Sequence, residues 1–168
     1  MEHLEIERKY LIRMPSSALL GKLPVSGIEQ VYILTPDGTR ERIRRRDYGD
    51  RIVYTHTAKR RLSDLTRVEI EREITAGEYG RLLAQADPTR CPVRKKRYLY
   101  DYDAQRFEID VFPFWEDRAL MELELENEGQ EIRLPPEIGI IREVTSDGRY
   151  TNSAIAREIP RESVEKEV

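Results

Sequence analysis

At 168 residues the chain has room for one domain with a substantial core, and its 29 basic and 32 acidic residues nearly cancel to a net charge of −3. That balance argues against a general nucleic-acid binder, which carries a basic excess, and no apolar run nears the roughly 18 residues of a membrane span. The lone Cys91 excludes an internal disulfide. With a charged opening stretch where a signal peptide would be apolar, it points to a reducing, cytoplasmic setting.

The predicted elements begin with Glu5-Ile6-Glu7-Arg8-Lys9. In a strand, positions i, i+2 and i+4 share a face, so Glu5, Glu7 and Lys9 stand on one side and Leu4, Ile6 and Arg8 on the other. A helical segment, Ser16 to Leu23, follows Pro15, and Thr35-Pro36-Asp37-Gly38 reads as a hairpin turn. The two-residue period then returns repeatedly. Arg40, Arg42, Arg44 and Arg46 alternate; a turn at Asp47-Tyr48-Gly49-Asp50 leads to Thr55, Thr57 and Lys59. A break at Ser63-Asp64-Leu65 leads to Glu69, Glu71 and Glu73. Ala76 to Ala86 carries Tyr79, Leu82 and Leu83 at helical spacing and is stopped by Asp87-Pro88. Lys95 with Arg97, Glu108 with Asp110, and Glu122, Glu124 and Glu126 continue the strand pattern, and Thr151 to Glu158 forms a short helical turn. One domain is expected over 1–159, with a charged, solvated tail over 160–168.

Charged residues make up 36% of the chain, a level also seen in disordered segments. Here they alternate with Ile6, Ile43, Val68, Ile70, Ile109, Val111, Leu123 and Leu125, which marks two-faced strands. Consecutive antiparallel strands, roughly eight of them, predict an α+β fold built on a closed barrel with a few helices outside. A small barrel ordinarily fills its interior with apolar side chains. In this chain the helices need apolar partners, and outward-facing Ile, Val and Leu supply them, so the charged faces turn inward. A polar lumen is costly unless opposed charges neutralise one another or hold ligands. It suits a polyanion gripped by Arg and Lys, with divalent cations held by carboxylates.

These motifs, in this order, resemble the CYTH family of triphosphate tunnel metalloenzymes over nearly the whole chain. The resemblance rests on E-x-E-x-K at Glu5, Glu7 and Lys9, R-x-R at Arg42 and Arg44, T-x-K at Thr57 and Lys59, and E-x-E at Glu69 and Glu71. It continues through Lys95, Arg97 and Tyr98, Glu108 and Asp110, and Glu122 and Glu124, and ends at Glu143-Val144-Thr145 and Arg149-Tyr150-Thr151-Asn152-Ser153. It implies an eight-stranded antiparallel tunnel that binds a small-molecule triphosphate and hydrolyses or cyclises it with Mg²⁺ or Mn²⁺. The opening and closing motifs are most similar to those of bacterial inorganic triphosphatases. The alternatives are a class IV-like adenylate cyclase, disfavoured because His3 lacks a spaced His-Phe element, and a non-catalytic polyphosphate- or nucleotide-binding module. Pro113-Phe114-Trp115 is bulkier than the family's usual hairpin.

Arg forks bind phosphate oxygens bidentately and Lys adds a point charge, so Arg42, Arg44, Lys59, Lys95 and Arg97 are the expected phosphate ligands. Hard divalent ions prefer carboxylate oxygen, which nominates Glu5, Glu7, Glu122 and Glu124, with Glu69, Glu71, Glu108 and Asp110 as a second set. Lys9, Glu5 and Glu7 are the expected catalytic group, a glutamate or Lys9 placing the attacking water. Arg45, Arg46, Arg60, Arg61, Arg72 and Arg94 are expected at the surface, Trp115 in packing, and His3, His56 and Cys91 outside the chemistry. Neither membrane nor nucleic acid is expected as a partner, and a homodimer stays open.

Overall fold

The computed structural model describes residues 2–36 and 40–164, and the side chains of these apart from 2, 3, 60 and 61. Part of the expected turn at Thr35 to Gly38 lies outside the described residues, as do the side chains of His3, Arg60 and Arg61. The described residues form nine strands: β1 (Glu2–Arg13), β2 (Val25–Leu34), β3 (Arg40–Asp47), β4 (Ile52–Arg61), β5 (Thr66–Ile74), β6 (Val93–Tyr102), β7 (Gln105–Val111), β8 (Arg118–Glu124) and β9 (Ile140–Glu143). The first eight close on themselves in the order β5-β4-β3-β2-β6-β7-β8-β1, with β1 returning to β5, and every pairing is antiparallel. Closure depends on β1 serving two partners: Glu2 to Ile6 pair with β5, and Glu7 to Arg13 pair with β8. The ninth strand, which the charge alternation did not announce, lies beside Tyr10 to Ile12 of β1.

The helices are shorter than their sequence patterns. Helix α1 (Ser17–Leu20) and helix α2 (Ala76–Leu82) are capped by the hydroxyls of Ser16 and Thr75, and α2 runs on into a 3₁₀ turn at Leu83–Gln85. Helix α3 (Asn152–Arg157) is capped by Thr151. The turn at Asp47 to Asp50 forms as expected, with Gly49 at φ +93° and its N–H donating to Asp47 Oδ1.

Side chains opposite one another in an antiparallel pair share a face, so register fixes what points inward. Outside the barrel, Ile6, Tyr10, Ile12, Phe107, Ile109, Met121 and Leu123 form one buried cluster joined by Leu19 and Leu23 from the α1 region. A second, of Val31, Ile33, Ile43 and Ile74, is covered by Tyr79 and Leu82 of α2. The expectation that Ile43, Ile109 and Leu123 pack outside is met. Ile70 lies on the same outer face yet is 52% exposed, because no helix crosses β5 there.

The third cluster is inside. Leu11 pairs with Leu120, Leu120 with Asp110, and Phe112 follows on the same face. These side chains meet Tyr32, Val93, Trp115, Tyr150 and, from α3, Ile155 and Ala156. The lumen is therefore charged over part of its length and plugged with apolar side chains at the α3 end. Of the expected charged tail, 165–168 lie outside the described residues and Arg161 and Ser163 are exposed, but Glu162 is held: it accepts from Arg142 and Tyr150, and its carbonyl accepts from Arg118 at 2.7 Å.

Candidate functional site

Alternation on β3 turns Arg42, Arg44 and Arg46 into the barrel, opposite Tyr32, Gln30 and Ile28 of β2 and Thr57, Thr55 and Val53 of β4. With Glu5, Glu7, Lys59, Glu69, Glu71, Arg97, Glu108, Glu122, Glu124 and Asn152 they line a cavity of about 180 Å³. A second chamber of about 410 Å³ shares Glu7, Arg42, Lys59 and Asn152 with it and reaches past Lys9, Arg40, Arg67 and Ser153 beside α3.

Two kinds of ion pairing occupy the wall. On β6 and β7 it is complete: Arg97 grips Asp110 with Nε at 2.8 Å and Nη2 at 2.9 Å, while Lys95 Nζ sits 2.7 Å from the same carboxylate. The Lys95 side chain is 0% exposed and that of Asp110 1%. Burial works against the Asp110 charge, but Arg97 and Lys95 hold its carboxyl below the ordinary range. Burial, only partly offset by Asp110, pulls Lys95 down to about 8. On β3 pairing is incomplete. Arg44 reaches Glu71 only at 3.9 Å, and Arg42 Nη2 donates to Thr57 at 3.5 Å. The buried Nε atoms of Arg42 and Arg44 have no hydrogen-bond partner. Burial and then the neighbouring Arg42 and Arg97 charges lower Arg44 to about 10, the signature of cations crowded without enough anion.

The acids crowd opposite them. Glu7 pairs with Glu124 and Lys9 with Glu122 across β1 and β8, as barrel closure requires. Burial, then Glu122, push Glu7 up to about 8 despite the opposing charge of Lys9. Glu122 moves the other way: burial works against its charge, but Lys9, Arg97 and Lys95 together hold it well below the ordinary range. Lys59 Nζ lies 2.8 Å from Glu5 and 3.4 Å from Glu69. Lys9 itself is buried, with Nζ donating to the Tyr150 carbonyl at 3.0 Å and lying 3.1 Å from Glu122. Its backbone is fixed at the barrel edge, since Lys9 N–H donates to Thr145 Oγ1 and Lys9 O accepts from Val144.

Of the expected site residues, eleven surround the first cavity: Glu5, Glu7, Arg42, Arg44, Lys59, Glu69, Glu71, Arg97, Glu108, Glu122 and Glu124. Lys9 stands in the adjoining chamber. Lys95 and Asp110 are inward but withdrawn from the wall, occupied with each other, Arg97 and Asn152. Arg46, expected at the surface, lines the cavity and donates to Ser26 Oγ at 2.9 Å. Its parity with Arg42 and Arg44 was the available signal. Asn152 and Tyr150 were visible only as parts of a motif, and Arg67, which lies beside Glu7, only through the parity it shares with Glu69 and Glu71. Trp115 packs in the plug between Phe112 and Tyr150, as expected of a packing residue.

Residues 3–157 match the CYTH domain. The chain belongs to the CYTH family. Among its relatives is an inorganic triphosphatase of Nitrosomonas europaea, 34% identical over 160 residues that span 93% of this chain and 99% of the relative. Another is an inorganic triphosphatase of Acetivibrio thermocellus, 30% identical over 91% of this chain and 93% of the relative. A crystal structure of an inorganic triphosphatase superposes with a TM-score of 0.58 at 32% identity, covering 94% of this chain and 100% of that one. A Bacillus halodurans protein, 16% identical, shares the fold with a TM-score of 0.54 over 76% of this chain and 83% of its own. The CYTH match stops at residue 157, so Glu162 lies beyond it while its partners Arg118, Arg142 and Tyr150 lie within it. Among the described residues no helix is long and apolar enough to cross a membrane.

Proposed function

We propose that this CYTH protein is a divalent-metal-dependent triphosphatase acting on inorganic tripolyphosphate. The observation that carries the reading is the row Arg42, Arg44 and Arg46, with the Nε atoms of Arg42 and Arg44 buried and unpartnered, facing a bank of carboxylates across one small cavity. Among the described residues nothing apolar or aromatic lines that cavity, which suits phosphate oxygens, and Trp115 is buried in the plug away from it. Inorganic triphosphatases among the relatives support the same substrate.

In this reading Arg42, Arg44, Arg97 and Lys59 bind the phosphates, with Arg46 added to the set. Lys95 and Asp110 hold Arg97 in place instead of touching phosphate or metal. The donor set of Glu5, Glu7, Glu122 and Glu124 fits a hard divalent cation, since all are carboxylates and the burial that drives Glu7 up is relieved by positive charge nearby. Among the described residues no three acids already converge as a finished metal site. Glu5, Glu7, Glu122 and Glu124 would hold Mg²⁺ or Mn²⁺, which would supply positive charge against the charge that develops on the phosphoryl group. Water attacks the terminal phosphorus in line; a P–O bond to water forms, the anhydride P–O bond breaks, and pyrophosphate leaves as the new phosphate sheds its proton to solvent. The guanidinium groups stabilise charge on the transferred phosphoryl group, and the Lys9 ammonium, fixed by Tyr150 and Glu122, contributes a positioned positive charge near Glu7.

The test is phosphate release from tripolyphosphate, ATP and thiamine triphosphate with Mg²⁺, Mn²⁺ or EDTA. Metal-dependent release, fastest from tripolyphosphate, is expected. Cyclic AMP from ATP, or tight binding without release, would replace the reading with one of its alternatives.

A further inference from the structure

Lys9 is far from the end of the sequence, yet what holds it comes from there. Its ammonium donates to the carbonyl of Tyr150, and Tyr150 is wholly buried, its ring in the plug. The phenol hydroxyl leaves the plug on the far side and donates to Glu162 Oε1. Glu162 is itself gripped. Arg142 Nη2 donates to it at 2.9 Å and Arg142 Nε at 3.3 Å, and Arg118, 8% exposed on β8, donates to its carbonyl at 2.7 Å. Arg142 and Arg149 lie over the Tyr150 ring at 5.4 and 5.6 Å, both tied to Asp147.

A lone surface ion pair contributes little, because water screens it and side-chain entropy opposes it. This arrangement differs in having one carboxylate meet a buried phenol and a forked guanidinium while its own backbone is pinned to the barrel. From Glu162 to Lys9 the connection runs through one rigid ring and one carbonyl.

We propose that residues 158–164 form a clasp in which Glu162 is a positioning residue. It fixes Tyr150, and the Tyr150 carbonyl in turn sets where the Lys9 ammonium stands in the lumen. The inference rests on the triphosphatase reading for its readout. It goes beyond the CYTH domain, whose match ends before Glu162. Arg142 and Arg118 are the arms of the clasp, and Tyr150 is its lever.

The experiment uses the full chain and four variants, Glu162→Ala, Glu162→Gln, Tyr150→Phe and the double Glu162→Ala/Tyr150→Phe. For each, kcat and KM for tripolyphosphate with Mg²⁺ are measured beside the melting temperature. Wild-type turnover is scored first and tests the triphosphatase reading alone; the variants then test the clasp. Glu162→Ala and Tyr150→Phe are each expected to lower kcat by about 10- to 100-fold, since misplacing a reacting group by an ångström has effects of that size. KM is expected to stay within about twofold, because the phosphate-binding arginines are untouched. The double variant is expected to be no slower than the slower single one, because both substitutions cut the same connection. Glu162→Gln, which keeps an oxygen for the phenol, is expected to recover part of the rate. A lowered melting temperature with kcat unchanged in both single variants would make the segment a purely structural strap and overturn the proposal, as would losses that multiply in the double variant. If Glu162→Ala fails to fold, Tyr150→Phe, which preserves the ring and the plug, decides the matter by the same kcat criterion.

Discussion

The β6–β7 wall and the β3 wall of the barrel use the same residue types to opposite ends. On β6–β7, the Lys95 and Arg97 charges are balanced by Asp110 and Glu108, and Lys95, Arg97 and Asp110 meet in buried contact with nearly ideal donor geometry. On β3, Arg42, Arg44 and Arg46 repel one another and find mostly neutral hydroxyls or distant acids. A satisfied ion network is first a structural part, and of the buried three only Arg97 reaches the cavity wall, whereas charge left uncompensated in a low-dielectric cavity is stored attraction for a ligand of opposite sign. Inward Arg and Lys are therefore not equivalent evidence of binding; what separates them is how well their partners already match them.

The comparison breaks first at Asp110. Asp110→Asn leaves two buried cations with a neutral partner and is expected to destabilise the fold by about 3–5 kcal/mol, measured by urea denaturation. The sign with pH follows from the depressed native pKa: the Asp110 contribution is whole above its unfolded value near ~3.9 and is lost as pH falls through the lower native one. Wild-type and Asp110→Asn stabilities are expected to approach each other in that acid window. Equal stability of the two at neutral pH would mean the triad is not what holds this wall.

Arg44→Ala addresses the other wall. It is expected to slow tripolyphosphate turnover by about 100-fold or more, with the melting temperature unchanged or raised, because a repelled charge has been removed. Arg44→Lys is expected to restore little, since a point charge cannot fork across two oxygens. A large drop in stability with normal kinetics would place Arg44 with Lys95 as a structural cation. Arg46→Ala is expected to cost roughly tenfold, less than Arg44, because its Nε is already engaged by Ser26. Wild-type rates would return Arg46 to the surface class where sequence reasoning first put it. The smallest effect belongs to Arg45→Ala and Arg72→Ala, on the outward parity of β3 and β5. Both are expected to stay within about 0.5 kcal/mol of wild type in stability and near it in rate. Strong sensitivity there would shift the register by one residue and invert both walls.

Most of the barrel was legible because its strands advertise two faces of unlike chemistry. β2 was not, since its inward residues Ser26, Ile28, Gln30 and Tyr32 are neutral and the charge alternation lapses. The internal plug was hidden for a related reason. Leu11 continues the parity of Glu5, Glu7 and Lys9, and Leu120 that of Glu124 and Glu122, so one face changes from charged to apolar partway along. Period reveals which residues share a face but not where along that face the solvent ends. The first-cavity residues were readable from parity and motif, whereas the Lys9–Tyr150 contact joins segments 141 positions apart and leaves no local trace.

The double pairing of β1 carries a consequence for how the molecule comes into being. Glu2 to Ile6 pair with β5, but Glu7 to Arg13 have no strand on their other side until β8, ending at Glu124, is available. The first of these strands in chain order is thus among the last to be completed, and loop-closure entropy is spent before its contacts form. Non-local closure of this kind belongs to slow folders, on the millisecond-to-second scale, in which a half-open sheet precedes the barrel. During that interval the exposed edge of β1 bears Glu7, Arg8 and Lys9, and charges of both signs there discourage pairing with a second chain before the first has closed on itself.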